Sequence, residues 1–240
     1  MKTLLVLLVA AVAAASASTD DDNFGYVSMV RQNYEMKVNN HLRRQVTLEL
    51  MASYLYQSYA SFFDRADIAL PGVKKFFSES SKEEREHAEH LVEYINKRGG
   101  NMQFEDVKLI DACNTLSKEM KKENLQSGRQ ETCICFFMSQ KREENNKRGD
   151  ATCSSPVEDW RHALIALEDT LVIEKHVNSE LLNIHKLASN NNDPHLTNFL
   201  EDVYLTEQVD AIKKLGGYIT QLRKFTNDYK LGEYIFDQKL

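Results

Sequence analysis

Proline is almost absent from this chain of 240 residues, which contains only Pro71, Pro156 and Pro194. Each of the three stands where a helix could begin rather than inside a periodic apolar run. Proline interrupts helices more strongly than any other residue, so its scarcity leaves room for long uninterrupted ones. The chain is therefore predicted to be all-α.

The chain also lacks an excess of positive charge. It contains 30 Lys and Arg and 36 Asp and Glu, which gives a formal net charge of −6. A chain this acidic is a poor candidate for binding nucleic acid. Its charge favours cations as partners instead.

No apolar run is long enough for a bilayer-crossing helix, which needs about 20 residues. The longest runs from Leu4 to Ala15; Lys2 precedes it and the small residues up to Ala17 follow it. This pattern is typical of a cleavable secretory signal peptide over residues 1–17. The alternative, a membrane span with no cleavage, is disfavoured by the run's length and by the acidic residues that begin at Asp20. We expect a secreted mature domain of residues 18–240 without a transmembrane segment.

Cysteine is scarce and confined to one segment, at Cys113, Cys133, Cys135 and Cys153. The spacing matches no zinc motif, and a secretory route would permit oxidation. We therefore expect disulfides. Because two cysteines separated by one residue rarely bridge, Cys133 and Cys135 would each pair with one of the outer two, in an order that the spacing leaves open.

Apolar residues recur at helical spacing in four long segments. These are 38–63, the stretch from Pro71 to Gly99-Gly100, 157–189 and 194–224. A short helix is also expected after Lys224. Between the second and third, from 101 to about 157, the periodicity weakens, which is typical of a surface excursion rather than core. Helices this long pack nearly parallel, which predicts a four-helix bundle with one long crossover. The predicted inward stripes of the first and third helices are Leu42, Val46, Leu50, Tyr54 and Phe62, and Leu164, Leu167, Leu171, Leu181 and Leu182.

Each long helix carries a polar residue near the middle of its apolar stripe. Glu84 and His87 form a Glu-x-x-His pair, whose spacing places both side chains on one helix face, and the other helices contribute Glu49, Glu174 and Gln208. Buried carboxylates that converge in one bundle need a cation to neutralise them. Oxygen ligands with one imidazole suit iron, with manganese or zinc as competitors. The alternatives are that Glu84 and His87 lie on a solvated helix face and that each acid pairs with a Lys or Arg.

Around these residues the sequence resembles the ferritin family over nearly the whole mature chain. The resemblance is carried by LELMASYLY at 48–56, SKEEREHAEHLVEYINKRGG at 81–100 and YLTEQVDAIKKLG at 204–216, among other segments. It implies a ferritin-like bundle with a short C-terminal fifth helix.

The resemblance also implies a di-iron centre. Glu49, Glu84 and His87 would hold one iron, Glu174, Gln208 and again Glu84 the second, and Tyr56 would support the site through its hydroxyl. The presence of both Glu84 and His87 is typical of heavy-type, catalytic subunits. Such a subunit oxidises Fe(II) with oxygen or peroxide as a ferroxidase and deposits ferric mineral inside a closed shell of about two dozen subunits.

Two further sites follow from the same resemblance. An acidic patch on the second helix would face the cavity and nucleate mineral, although a plain solvated face is the alternative. A three-fold channel would be lined by His185, Asn198 and Glu201, where Asn198 replaces the family's usual Asp. The residues of the acidic patch are Glu79, Glu83, Glu86 and Glu89.

Compared with an ordinary ferritin, the crossover carries about 45 additional residues, roughly 113–157, which include every cysteine. Secreted yolk ferritins of gastropod molluscs have an insertion at the same place. The insertion is expected on the outer surface of the shell, where it could contact a partner. An alternative function is a secreted yolk or nutrient iron carrier with no ferroxidase activity of its own. A helical cytokine-like ligand would also be secreted, but it would not explain acids on inward faces.

Overall fold

Four long helical segments dominate the computed structural model, which describes residues 28–122, 162–225 and 227–240. No strand occurs in these ranges, and the predicted all-α four-helix architecture with a short C-terminal helix is confirmed. In chain order the helices are α1 (Met36–Phe63), α2 (Pro71–Lys97), α3 (Leu109–Lys122), α4 (His162–Asn190), α5 (Pro194–Leu200), a π-helical turn (Glu201–Leu205), α6 (Thr206–Arg223) and α7 (Tyr229–Asp237). The fourth long segment is α5, the π-helical turn and α6 in direct succession.

The helix boundaries lie where local chemistry places them. Pro71 opens α2 and Pro194 opens α5, as predicted. The Asp193 side chain caps α5 by accepting a hydrogen bond from the Leu196 amide at 3.1 Å. Gly99 ends α2 with a φ of 74°, and a Cβ there would lie 2.9 Å from the backbone nitrogen of Arg31. Only glycine fits that turn without strain.

The crossover contains a helix that the sequence did not predict. In α3, Ala112 and Leu116 are fully buried, and the helix packs against both α1 and α4. Its Glu119 lies 3.6 Å from Nδ1 of His176 on α4. The expectation that residues from 101 onward form only a surface excursion is therefore wrong for 109–122. Two buried residues four positions apart are too few to produce a clear periodic signal.

Two residues of the predicted apolar stripes face outward instead. Tyr54 is 51% exposed and Leu182 is 50% exposed, whereas Leu42 and Val46 are fully buried. Successive helical residues are separated by about 100°, so the rotation that buries Leu181 turns Leu182 away from the core at this point of the helix.

Several sequence predictions lie outside the described residues. These are the signal peptide over residues 1–17, most of the predicted insertion at 113–157, and the cysteine pairing. Among the residues that are described, no helix is both long and apolar enough to cross a membrane.

The last helix docks through two buried carboxylates, each at the start of a long helix. Asp237 Oδ1 accepts a hydrogen bond from the Val73 amide of α2 at 2.9 Å, and Glu233 Oε1 accepts one from the Ala163 amide of α4 at 2.7 Å. The first amides of a helix have no partner within it, so these carboxylates satisfy donors that would otherwise be buried and unpaired. Burial raises the pKa of Glu233 to about 7, although the bond from Ala163 acts to lower it.

This pKa makes the docking of α7 pH-dependent. The folded value lies above the usual 4.5, so the contribution of Glu233 to stability is greatest below pH 4.5 and is lost as the pH rises towards about 7. Glu233→Gln keeps an acceptor for Ala163 but cannot ionise. We expect the variant to match the parent at pH 4.5 and to exceed it by about 2 kcal/mol at pH 7.5. Thermal unfolding of both proteins across this range measures the difference, with exposed Glu105→Gln as control. Parallel pH curves for parent and variant would contradict the expectation.

Candidate metal centre

Glu49 enters the bundle interior from the middle of α1. Its side chain is fully buried, and Gln45, one turn earlier, donates a hydrogen bond from Nε2 to Glu49 Oε1 at 2.7 Å. The second carboxylate oxygen, Oε2, is buried with no hydrogen-bond partner in the structure. Buried polar atoms are nearly always satisfied, so this oxygen is a candidate metal ligand.

Glu84 and His87 approach Glu49 from α2. One potential ligand atom from each of the three residues lies within 4.8 Å of the other two. The imidazole stands between two carboxylates: its Nδ1 is 3.4 Å from Glu84 Oε2 and its Nε2 is 3.1 Å from Glu207 Oε2. Both Glu84 and His87 are buried, so their placement on a solvated helix face is excluded.

Glu174 of α4 completes the interior with Tyr56 and Gln208. The Tyr56 hydroxyl donates to Glu174 Oε1 at 2.5 Å, and Gln208 Nε2 donates to Glu174 Oε2 at 2.9 Å. Gln208 Oε1, like Glu49 Oε2, is buried and has no hydrogen-bond partner. The structure therefore brings all six residues predicted for the centre into one interior region, from four different helical segments.

The electrostatics of this region are those of crowded acids with one imidazole among them. Burial raises the pKa of Glu49 well above its usual value, and the charge of Glu84 raises it further. Burial, followed by the charge of Glu174, has the same effect on the pKa of Glu84. No Lys or Arg is among the buried polar residues of the described ranges. Among the described residues no Lys or Arg forms an ion pair with Glu49, Glu84 or Glu174, and a cation would relieve the repulsion between these acids.

The pKa values of His87 and Glu207 move in opposite directions. For His87, burial acts to lower the pKa, but the hydrogen bond to Glu207 and nearby carboxylate charges outweigh it, and the net pKa is raised. For Glu207, the hydrogen bond to His87 is the largest effect and lowers the pKa. Each of the two residues therefore favours the charged form of the other. The pair lies at the rim of the region, where the Glu207 side chain is 48% exposed.

The donor set fits a hard or intermediate divalent cation. Carboxylate and amide oxygens with one imidazole suit iron or manganese, and zinc is a competitor. Two unpartnered oxygens, on Glu49 and on Gln208, are available as further ligands. Tyr56, held by Glu174, has its pKa raised well above 10 by burial and by that carboxylate, so it remains a neutral hydrogen-bond donor.

Two supporting features were not predicted from the sequence. The π-helical turn Glu201–Leu205 places Tyr204 so that its hydroxyl donates to the backbone carbonyl of His87 at 2.8 Å. Glu207 is the second feature, as the partner of His87. A π-helical turn often marks a functional site, but it leaves no signal in hydrophobic periodicity.

The residues predicted for mineral nucleation and for a channel lie elsewhere. Glu79, Glu83, Glu86 and Glu89 are all exposed along α2. His185 Nε2 lies 2.6 Å from Glu201 Oε1, and Asn198 Nδ2 donates to Asp202 Oδ2 at 2.6 Å. His185 therefore lies beside Glu201, and Asn198 lies beside the adjacent Asp202, where α4 meets α5 and the π-helical turn.

Comparison with known proteins supplies the family context. The family model described as "Ferritin-like domain" matches residues 39–131 and 140–225. Yolk ferritin of Lymnaea stagnalis is 47% identical over 216 residues, which are 86% of this chain and 87% of that protein. Soma ferritin of the same species is 38% identical over 213 residues, covering 89% and 95% of the two chains. The middle ferritin subunit of Salmo salar is 38% identical over 212 residues, covering 88% and 95%.

Proposed function

Because this chain belongs to the ferritin family, in which iron storage is the common function, we propose that it oxidises Fe(II) at its own di-iron centre and stores the ferric product as mineral. Iron is here the substrate. Glu49, Glu84 and His87 would bind one ferrous ion, and Glu174, Gln208 and again Glu84 the second, with Tyr56 positioning Glu174 through its hydroxyl. Enzymatically, the protein would be a ferroxidase.

One observation carries this proposal: three buried carboxylates and an imidazole converge, two oxygens of the set have no partner, and no buried Lys or Arg in the described ranges neutralises them. Keeping unpaired carboxylates in a dry interior costs several kcal/mol, and bound cations would offset that cost.

The chemistry requires two electrons, and two ferrous ions held side by side supply one each. Oxygen that accepts both electrons takes up two protons and leaves as hydrogen peroxide. When peroxide itself is the oxidant, two electrons and two protons convert it to water. The side chains bind both ions at once and exclude bulk water, which makes the two-electron step an event within one site.

Storage would take place inside a closed shell of about two dozen subunits. Iron would enter near His185, Asn198 and Glu201, and the exposed row Glu79, Glu83, Glu86 and Glu89 would seed mineral. Secretion is proposed from the pattern of residues 1–17 and agrees with similarity to a yolk ferritin; N-terminal sequencing of the purified protein reads it directly. The insertion would lie on the outer surface, available to a partner.

The test is stopped-flow oxidation of Fe(II) by assembled protein. Glu84→Lys combined with His87→Gly should slow the initial rate at least tenfold, because one metal position loses two ligands and gains a positive charge. The matched control is Glu93→Lys with His90→Gly, which makes the same replacements at exposed positions of α2. It should oxidise iron at the parental rate. A slower rate in this control would show that glycine in the helix, rather than the loss of metal ligands, reduces the oxidation rate.

The alternative function is a secreted yolk or nutrient iron carrier that mineralises iron without a ferroxidase activity of its own. The similarity to Lymnaea stagnalis yolk ferritin favours it. An unchanged oxidation rate in the Glu84→Lys, His87→Gly protein would reject the ferroxidase and leave this alternative.

A further inference from the structure

Glu207 contacts one nitrogen of the His87 imidazole, and Glu84 lies beside the other. Glu207 Oε2 lies 3.1 Å from His87 Nε2, while Nδ1 of the same ring is 3.4 Å from Glu84 Oε2. The His87 side chain is only 10% exposed. The ring is therefore held between one acid inside the proposed centre and one acid at its rim.

An imidazole binds a metal ion through a nitrogen that carries no proton, so one ring nitrogen must keep its hydrogen and the other must be free. A carboxylate that accepts the hydrogen of one nitrogen decides which is free and fixes the rotation of the ring. At His87 the carboxylate placed to accept from Nε2 is that of Glu207. The nitrogen left for a metal ion is Nδ1, which already points towards Glu84.

The geometry of the fourth helical segment explains how two adjacent residues reach one site. Gln208 donates to Glu174 and Glu207 contacts His87, although neighbouring residues of a helix point about 100° apart. The π-helical turn immediately before Thr206 sets the rotation of α6, and its Tyr204 holds the backbone of His87. Gln208 therefore contacts the proposed centre at Glu174 of α4, and Glu207 contacts it at His87 of α2.

We propose that Glu207 is a positioning residue for iron binding, which fixes the His87 ring so that Nδ1 is presented to the metal ion. This inference rests on the proposed di-iron function. It assigns to Glu207 no contact with the ion itself.

The test uses Co²⁺ alone, a redox-inert probe in air, added to assembled metal-free protein. Its visible absorption and calorimetric titration report the affinity of the histidine-containing position. Glu207→Ala should weaken that affinity by about 10- to 100-fold. Glu207→Gln, whose amide oxygen still accepts from Nε2, should recover most of the loss. The control Asp210→Ala removes an exposed acid one turn further along α6 and should bind as the parent does.

A kinetic measurement separates positioning from general damage. In Glu207→Ala the Fe(II) concentration that gives half the maximal oxidation rate should rise by a similar factor, while the rate at saturation changes much less. Equal losses of metal affinity in the Glu207→Ala and Glu207→Gln variants, or an equal loss in Asp210→Ala, would show that negative charge alone is responsible. The role of the hydrogen bond would then be wrong.

The two proposals fail in different ways. If the parent protein binds Co²⁺ and oxidises iron but Glu207→Ala behaves identically, only the role of Glu207 is wrong. If the parent neither binds Co²⁺ in its interior nor oxidises Fe(II), the di-iron function is wrong and the inference about Glu207 fails with it.

Discussion

Replacing Glu49 and Glu84 together by Gln is expected to stabilise the metal-free protein while it removes iron oxidation. Both carboxylates have raised pKa values because they are buried and close to other acids. At neutral pH the folded protein must therefore either hold buried negative charge or take up protons, and each choice lowers its stability. The amide side chains avoid both costs. We expect the free energy of unfolding of the double variant to exceed that of the parent by about 1 to 4 kcal/mol.

Metal should reverse this order. A ligand that binds only the folded state stabilises it, so the melting temperature of the parent should rise with added Co²⁺, while that of the double variant should change little. Calorimetry with and without Co²⁺ measures both effects. The control Glu93→Gln with Glu105→Gln changes two exposed acids and should stay within about 0.5 kcal/mol of the parent. A double variant that is less stable than the metal-free parent would show that the carboxylates are structural and would remove the main argument for a metal centre.

Arg98→Ala is expected to destabilise the protein by about 3 to 5 kcal/mol, because it leaves a buried carboxylate without its counter-charge. The guanidinium binds Asp193 through two hydrogen bonds of 3.0 and 2.9 Å and also donates to the backbone carbonyl of Asn33 at 2.9 Å. It lies over the rings of Tyr34 and Tyr94, with its central carbon 5.1 and 5.6 Å from their centroids. One side chain thus joins the residues before α1, the end of α2 and the start of α5.

Thermal unfolding measures this effect, and a drop of roughly 10 °C corresponds to it for a chain of this size. Arg85→Ala removes the same side chain from an exposed position of α2 and should have little effect. Asp193→Asn keeps the cap on Leu196 but removes the charge, so adding it to Arg98→Ala should restore part of the lost stability. If the double variant were destabilised by the sum of the single changes, the buried ion pair would not be the cause.

Some residues of the proposed centre could be predicted from the sequence, and others could not. Glu49 and Glu174 stand out because a carboxylate interrupts an apolar stripe, and the spacing of Glu84 and His87 places both on one face. Glu207 stands out in no such way, since it is one of many half-exposed acids in a chain with 36 of them. Only its distance to His87 distinguishes it.

The same limit applies to the fold. Long amphipathic periods predicted the four long helical segments because each buries a continuous stripe over many turns. The helix α3 buries only Ala112 and Leu116 among its described side chains, and the π-helical turn differs from an α-helix by a hydrogen-bond register that side-chain pattern does not encode. Tyr54 and Leu182 were assigned inward because they are apolar, although an apolar side chain can also lie on the surface.

By itself the sequence determined that this protein is all-α, that its long helices form a bundle with one long crossover, and that its motifs are those of the ferritin family. These properties depend on residue type and on spacing within one segment, which the chain carries locally. Tertiary structure alone decided that Glu49 and Gln208 keep unpartnered oxygens and that Glu207 rather than a neighbouring acid contacts His87. Such facts depend on the rotation of one helix against another, and that rotation follows from the packing of the whole core.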